Sequence, residues 1–295
     1  MNPLVEPFFD PDTFTISYVV HGDGHPACAI IDPVLDYDAR AGRVATHSAQ
    51  RILDFVASRK LRVEWILETH AHADHLSAAQ WLKRRLGGQV GIGEHIREVQ
   101  QHFARLFGVE GEVPADGSQF DCLLRDGDRL ALGDLQIEVL HTPGHTNACV
   151  SFRVGNAVFV GDTLFMPDYG TARTDFPGGD AATLYRSIRR ILALPADTRL
   201  FLCHDYRPGG RPPAWESTVA EQRAHNLLVH DGVTETAFVA DRKERDSRLS
   251  APALILPALQ VNIRGGHMPE PATNGTRYLK IPLNRIGGAS DEGLV

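Results

Sequence analysis

Apolar residues along the chain follow two spacings. The segments "TFTISYVV" (residues 13–20), "ACAIIDPV" (27–34) and "VEWILE" (63–68) are short, apolar and rich in β-branched or aromatic side chains, which predicts strands. The turn "HGDGHP" separates the first two. In "VATHSAQRILDFVASRK" (44–60) and "IREVQQHFARLFG" (96–108) apolar positions recur every three or four residues, which predicts helices. "LSAAQWLKRRLGG" (76–88) reads as a further helix, closed by its glycines. A second series follows. "LQIEVLHTPGHT" (135–146), "ACVSFRV" (148–154) and "AVFVGDTLF" (157–165) predict strands joined by tight turns. "DAATLYRSIRRILALP" (180–195) predicts a helix with Asp180 as N-cap, and "TRLFLCHDY" (198–206) another strand. The order of hairpin, helix and strand thus occurs twice, which suits an α/β architecture of two sheets packed face to face with helices outside. From about Trp215 the pattern turns helical and polar, then rich in Pro and Gly. The expected division is a main domain over 1–214 and an extension over 215–295 packed on it as a helical and irregular cap.

Composition narrows the classes of function. Of 295 residues 43% are apolar and 23% charged, the balance of a globular protein with a full core. The net charge is −7 and no lysine-arginine block occurs, which argues against nucleic acid or an anionic membrane as partner. No apolar run is long enough to span a bilayer, and "MNPLVEPFFDPDTF" lacks the features of a signal peptide, so a cytoplasmic location is expected. Cys28, Cys122, Cys149 and Cys203 are widely spaced without a CxxC motif, and are expected to be buried, reduced thiols.

The chemistry gathers at strand ends. "HAHADH" (70–75) follows the apolar run "VEWILE", so three histidines and an aspartate sit on a strand-to-helix turn. Imidazoles and a carboxylate converging there suit a first-row transition metal. The same grammar, an apolar strand and then a polar ligand type, recurs at His145 in "HTPGHT", Asp162 in "FVGDTLF" and His204 in "FLCHDY". It recurs at Asp32 in "AIIDPV", expected to orient other groups. A lone strand-end histidine is more often structural, but several in one chain are not easily dismissed.

HAHADH, the GH of "TPGHT", the GD of "VGDT" and the histidine of "LCHDY" together resemble the metallo-β-lactamase superfamily over at least residues 14–206. The resemblance implies an αββα sandwich with a metal site at one edge of the two sheets. It implies that His70, His72 and His145 line one site, that Asp74, His75 and His204 line a second, and that Asp162 bridges them.

The segment "ARTDFPGGDAATLYRSIRRILALPADTRLFLCHDY" further resembles the glutathione-dependent persulfide dioxygenases (sulfur dioxygenases) of bacterial type. Glyoxalase II enzymes carry a GCGR/K-F-[FY]-E-G pattern and a GHEY ending in its place. This second resemblance implies one Fe(II) per chain, with His70, His145 and Asp162 as metal ligands and catalytic residues. It leaves His72, Asp74, His75 and His204 as a vestigial second site or orienting shell. Two histidines and one carboxylate leave positions open for reactants, as in non-haem Fe(II) oxygenases, whereas zinc has no redox chemistry. The implied reaction is glutathione persulfide plus O2 and water giving glutathione and sulfite, in persulfide detoxification. Arg173, Tyr206, Arg242 and Arg245 are the expected glutathione contacts. A homodimer and functional coupling to rhodanese-type sulfurtransferases belong to the same expectation. Compared with shorter members of that group, "MPDYGTARTDF", the region of "IREVQQHFARLFG" and the tail after Lys243 are longer. Two other readings stay open: a zinc-dependent glyoxalase II-type thioester hydrolase, which needs both metals, and a non-catalytic metal- or sulfide-sensing protein.

Overall fold

In the computed structural model, which describes residues 2–286, two six-stranded sheets face each other. The first runs in the order Leu4–Phe9, Ile16–His21, Ala27–Ile31, Arg62–Leu67, Gln89–Gly93 and Cys122–Leu124. The second runs Arg129–Leu132, Leu135–His141, Val150–Val154, Ala157–Phe159, Arg199–Phe201 and Glu216–Thr218. Alternation along the strands sorts side chains between layers. Ile16, Tyr18 and Val20 of the first sheet meet Ile137, Val139 and Phe152 of the second in the core between them. Tyr18, Phe159 and Phe201 form an aromatic cluster there, with ring centroids 5.0–5.5 Å apart. Val19, Cys28 and Ile30 point the other way, onto the helices His47–Ser58, Ala79–Leu86 and Ile96–Phe107. Val158 and Val160 likewise meet Leu184, Ile188 and Ile191 of helix Ala181–Leu192. The layers are helix, sheet, sheet, helix, as expected. Asp180 caps the last helix, accepting from Thr183 N–H at 2.7 Å.

Several local expectations are corrected. Leu4–Phe9, Gln89–Gly93, Cys122–Leu124 and Arg129–Leu132 are strands without a distinct sequence signal. In "QVGIG" the glycine is a packing requirement: a Cβ on Gly93 would lie 2.6 Å from the Ala148 carbonyl oxygen. Leu76–Ser77 pairs with Val34–Asp38 in a small third sheet, so the following helix starts only at Ala79. The strand predicted over 157–165 stops at Phe159, where the chain breaks into a 3₁₀ turn over Gly161–Thr163. Cys28, Cys149 and Cys203 are buried, but Cys122, on an edge strand, is half-buried. All four are free thiols, and burial pushes Cys28 and Cys149 up to about 12.

The C-terminal part crosses the molecule. Helix Glu235–Asp246 packs on helix Ala181–Leu192, with Phe238 5.6 Å from Tyr185. Helix Ile255–Asn262 packs in the opposite outer layer, beside Ile96–Phe107. Met1 and residues 287–295 of the expected domain division lie outside the described residues. Among the described residues no helix is long and apolar enough to cross a membrane.

Candidate metal centre

The strand ends converge at one edge of the sandwich. His70, His72, Asp74 and His75 occupy the loop after strand Arg62–Leu67; His145 follows Leu135–His141; Asp162 follows Ala157–Phe159; His204 follows Arg199–Phe201. Two glycines let these turns close. Gly144 has φ +139°, and a Cβ there would lie 2.3 Å from Leu184 Cα; Gly161 has φ +52°, and its Cβ would meet Thr69 Oγ1 at 2.7 Å.

Donor atoms of His70, His145 and Asp162 lie within 4.8 Å of one another, and those of His72, Asp74, His75 and His204 form a second such group. Asp162 faces both. Its Oδ2 is 3.9 Å from His70 Nε2 and 3.6 Å from His145 Nε2, while its Oδ1 is 3.3 Å from His204 Nε2. Asp74 Oδ2 lies 3.1 Å from His204 Nε2.

Buried partners fix how the rings face. His145 Nδ1–H donates to the Arg173 carbonyl at 2.8 Å, which leaves the Nε2 lone pair for the site. Thr69 Oγ1 donates to Asp32 Oδ2 at 2.9 Å and therefore accepts from His70 Nδ1–H, 3.1 Å away. Thr15 Oγ1 lies 3.3 Å from Nδ1 of both His75 and His204, and Thr13 links it onward to Asp10. His72 is reversed, with Nε2 3.0 Å from Asp32 Oδ1. Asp32 also accepts from Thr69 N–H at 2.7 Å, so it contacts His72 directly and His70 through Thr69. Asp32 has φ +48°, a left-handed conformation that aspartate tolerates.

Electrostatics differ across the cluster. Burial, and then the neighbouring His72, hold His70 well below the usual imidazole range, so it is neutral and can ligate. Burial works against charge on His204 as well, but the Asp74 and Asp162 carboxylates outweigh it and push it up to about 9. Nε2 of His70 and His75 and Nδ1 of His72 are buried without a hydrogen-bond partner, while His204 Nε2, Asp74 Oδ2 and Asp162 Oδ1 have only one another, at 3.1 and 3.3 Å. Each such atom costs about 1–3 kcal/mol, and so many at one point are rare unless something binds them. Imidazole nitrogens and carboxylate oxygens are the donor set of a first-row transition metal, so the residues fit a bound ion.

Residues 11–204 match the Metallo-beta-lactamase superfamily. The chain belongs to that superfamily. It is 56% identical over 292 residues to a "Probable metallo-hydrolase" of Burkholderia pseudomallei, covering 96% of this chain and 99% of that one. It is 46% identical to "Glyoxylase B2" of Dictyostelium discoideum, over 96% and 97% of the two chains. It is 30% identical to the mitochondrial persulfide dioxygenase of Bos taurus, over 91% of each. Among solved structures, ETHE1 from Myxococcus xanthus matches with a TM-score of 0.72 and 29% identity, over 90% of this chain and all of that one. The His and Asp cluster is thus the metal-binding site of a metallo-β-lactamase fold.

Above the metal ligands of this superfamily member opens a cavity of about 660 Å³. His145, Asp74 and Asp162 form its floor, Phe14, Phe165, Tyr169, Phe176 and Tyr206 its walls. All the residues expected to contact glutathione line it, in unequal states. Arg173 grips Asp175 with two nitrogens, at 2.6 and 2.7 Å, and donates to the Ser250 carbonyl at 2.7 Å. Arg242 is buried, paired with Asp246 at 2.8 Å and donating to the Thr171 carbonyl. Arg245 is half exposed beside Asp241. Tyr206 stacks on His204, with centroids 5.8 Å apart.

Sequence reading missed Thr15, Thr69, Asn262 and Arg248. Thr15 is a buried polar residue of "TFTISYVV", just before strand Ile16–His21, and Asn262 is the amide of "LQVNIR" that reaches the ligand loop. Those intrusions into apolar runs were the available signal. Arg248 lines the cavity beside Arg245 with its side chain 73% exposed.

Proposed function

We propose that this protein is a persulfide dioxygenase, converting glutathione persulfide, O2 and water to glutathione and sulfite, with one Fe(II) per chain held by His70, His145 and Asp162. The observation that carries this reading is the grouping of donors: the two imidazoles of His70 and His145 lie with the Asp162 carboxylate and without His72, whereas His72 groups with Asp74, His75 and His204, and Asp162 also reaches a group of His72, Cys203 and His204. That set is the one non-haem Fe(II) oxygenases use. Likeness to the Bos taurus and Myxococcus xanthus proteins supports it. Iron(II) held there supplies redox chemistry that zinc lacks.

The chain's own residues do the rest. Arg245 and Arg248, the more exposed arginines of the rim, meet the carboxylates of glutathione. Arg173 and Arg242 shape that rim, because their guanidinium groups are already held by Asp175, Asp246 and backbone carbonyls. Tyr206 flanks the sulfur; burial, with Asp74 and Asp162 nearby, keeps its phenol protonated and able to donate. The aromatic walls exclude bulk water. His204, close to two carboxylates, orients Asp74 and Asp162 in place of a second ion. The proposal extends to a homodimer and to rhodanese-type sulfurtransferases as the source of persulfide.

One observation favours a second reading, a two-metal thioester hydrolase. The buried donor atoms of His75, Asp74 and His204 would also suit a second ion, and the Dictyostelium relative carries a glyoxylase name. Oxygen uptake and sulfite release from glutathione persulfide, run beside hydrolysis of a glutathione thioester, separate the two. Oxygen uptake with no thioester hydrolysis is the expected result; hydrolysis without oxygen uptake rejects it.

A further inference from the structure

The sequence predicts that the segment after Trp215 is a cap, but its hydrogen bonds reach the ligand loop itself. Asn262, the last residue of helix Ile255–Asn262, is 4% exposed. Its Oδ1 accepts from Ser77 N–H at 2.8 Å, and its Nδ2 donates to the carbonyls of His72 and His75, each at 2.8 Å. Both amide protons are therefore engaged on the ligand loop, and the carbonyl oxygen on the strand Leu76–Ser77 that directly follows it. The two carbonyls bracket the turn that carries Asp74. Holding them fixes the direction in which the backbone projects His72, Asp74 and His75. The same segment acts on the far side of the site. Ser250 O accepts from Arg173 at 2.7 Å, and the Arg173 carbonyl accepts from His145 Nδ1–H at 2.8 Å. Residues 250–262 thus touch the metal ligands or their partners from two directions.

We propose that Asn262 is a positioning residue of the metal centre, through which the C-terminal extension sets the geometry and affinity of the HAHADH loop for its ion. The inference holds in either reading of the reaction: with one ion, Asn262 acts on the ligand His70 through the backbone of His72 two residues on, and with two ions it also fixes the loop that carries Asp74 and His75. The competing account is that Asn262 only fastens the extension to the body of the protein. Gln260 separates them. It lies on the same helix, 1% exposed, but its amide bonds only within the extension: to the Leu256 carbonyl at 2.8 Å, the Lys280 carbonyl at 2.9 Å and Lys280 N–H at 2.8 Å.

The test uses the full chain, stripped of metal and titrated with Co(II) against a competing chelator, with the visible spectrum of the bound cobalt recorded. Asn262→Leu is expected to weaken cobalt binding about tenfold or more, the scale of lost outer hydrogen bonds to ligands, and to alter the ligand-field bands. Gln260→Leu is expected to lower Tm and leave cobalt affinity and spectrum as in the wild type. Wild-type cobalt binding by Asn262→Leu, or equal weakening in Gln260→Leu, overturns the proposal. If Asn262→Leu does not fold, Asn262→Ala, which leaves room for a bridging water, is read the same way: weaker binding supports the role and wild-type binding overturns it.

Discussion

Beneath the floor of the cavity the imidazoles of His70, His72, His75 and His204 are held through one ring nitrogen by partners such as Thr15, Thr69 and Asp32, all at most 2% exposed, whereas at the mouth Arg245 and Arg248 pair with Asp241 and Glu244, which are 45% and 65% exposed. The two kinds of contact differ in consequence. A buried hydrogen bond cannot exchange with water, and leaving its partner unmade costs about 1–3 kcal/mol. An exposed ion pair contributes about 0–1 kcal/mol and is screened by salt, so a substrate carboxylate displaces it readily. The floor is therefore built to stay as it is, and the mouth to rearrange around a ligand.

Substitutions test that contrast, beginning where the effect should be largest. His145→Ala removes a ligand from a turn whose neighbours stay packed; bound metal should fall to near zero while far-ultraviolet circular dichroism is unchanged. Full metal content in that variant breaks the floor assignment. Asp32→Ala comes next, because one carboxylate holds Thr69 through two bonds and faces His72. Loss of hydrogen bonds to a charged group should lower unfolding free energy by about 1.5–3 kcal/mol, and metal affinity should fall about 10–100-fold. Chelator competition and denaturant titration measure both. At the mouth, Arg245→Ala combined with Arg248→Ala should raise KM about tenfold, with kcat and metal content near wild type, the pattern of lost uniform binding. Arg173→Ala should have the smallest effect on KM, about twofold to threefold, since its guanidinium is already tied to Asp175 and Ser250. A tenfold KM increase from Arg173→Ala alone would move the carboxylate contact to that residue.

The same contrast explains what could be read from the sequence. Every residue in the two donor groups was legible as a candidate ligand, whereas Cys203, which groups with His72, Asp162 and His204, and Glu68, which groups with Asp32 and His72, were not. Metal chemistry admits few residue types, and each follows a strand whose apolar run is itself visible. The two-sheet architecture was legible for the same reason, because "VEWILE" and "AVFVGDTLF" cannot be solvated. Short strands such as Arg129–Leu132 carried too little pattern to be seen. The mouth was less legible because arginines serve many ends. "RKERD" names Arg242 and Arg245 equally, yet only tertiary packing makes the first buried beside Thr171 and leaves the second half exposed. Asn262 is 190 residues from His72 in the chain, and only the folded extension brings it to the ligand loop.

Anomalous diffraction at the iron and zinc edges, on crystals of protein purified without oxygen, tests the central claim most directly. One iron peak between His70, His145 and Asp162, with none between Asp74, His75 and His204, is the predicted result. Two full zinc peaks, one in each group, would contradict it and establish the hydrolase arrangement instead.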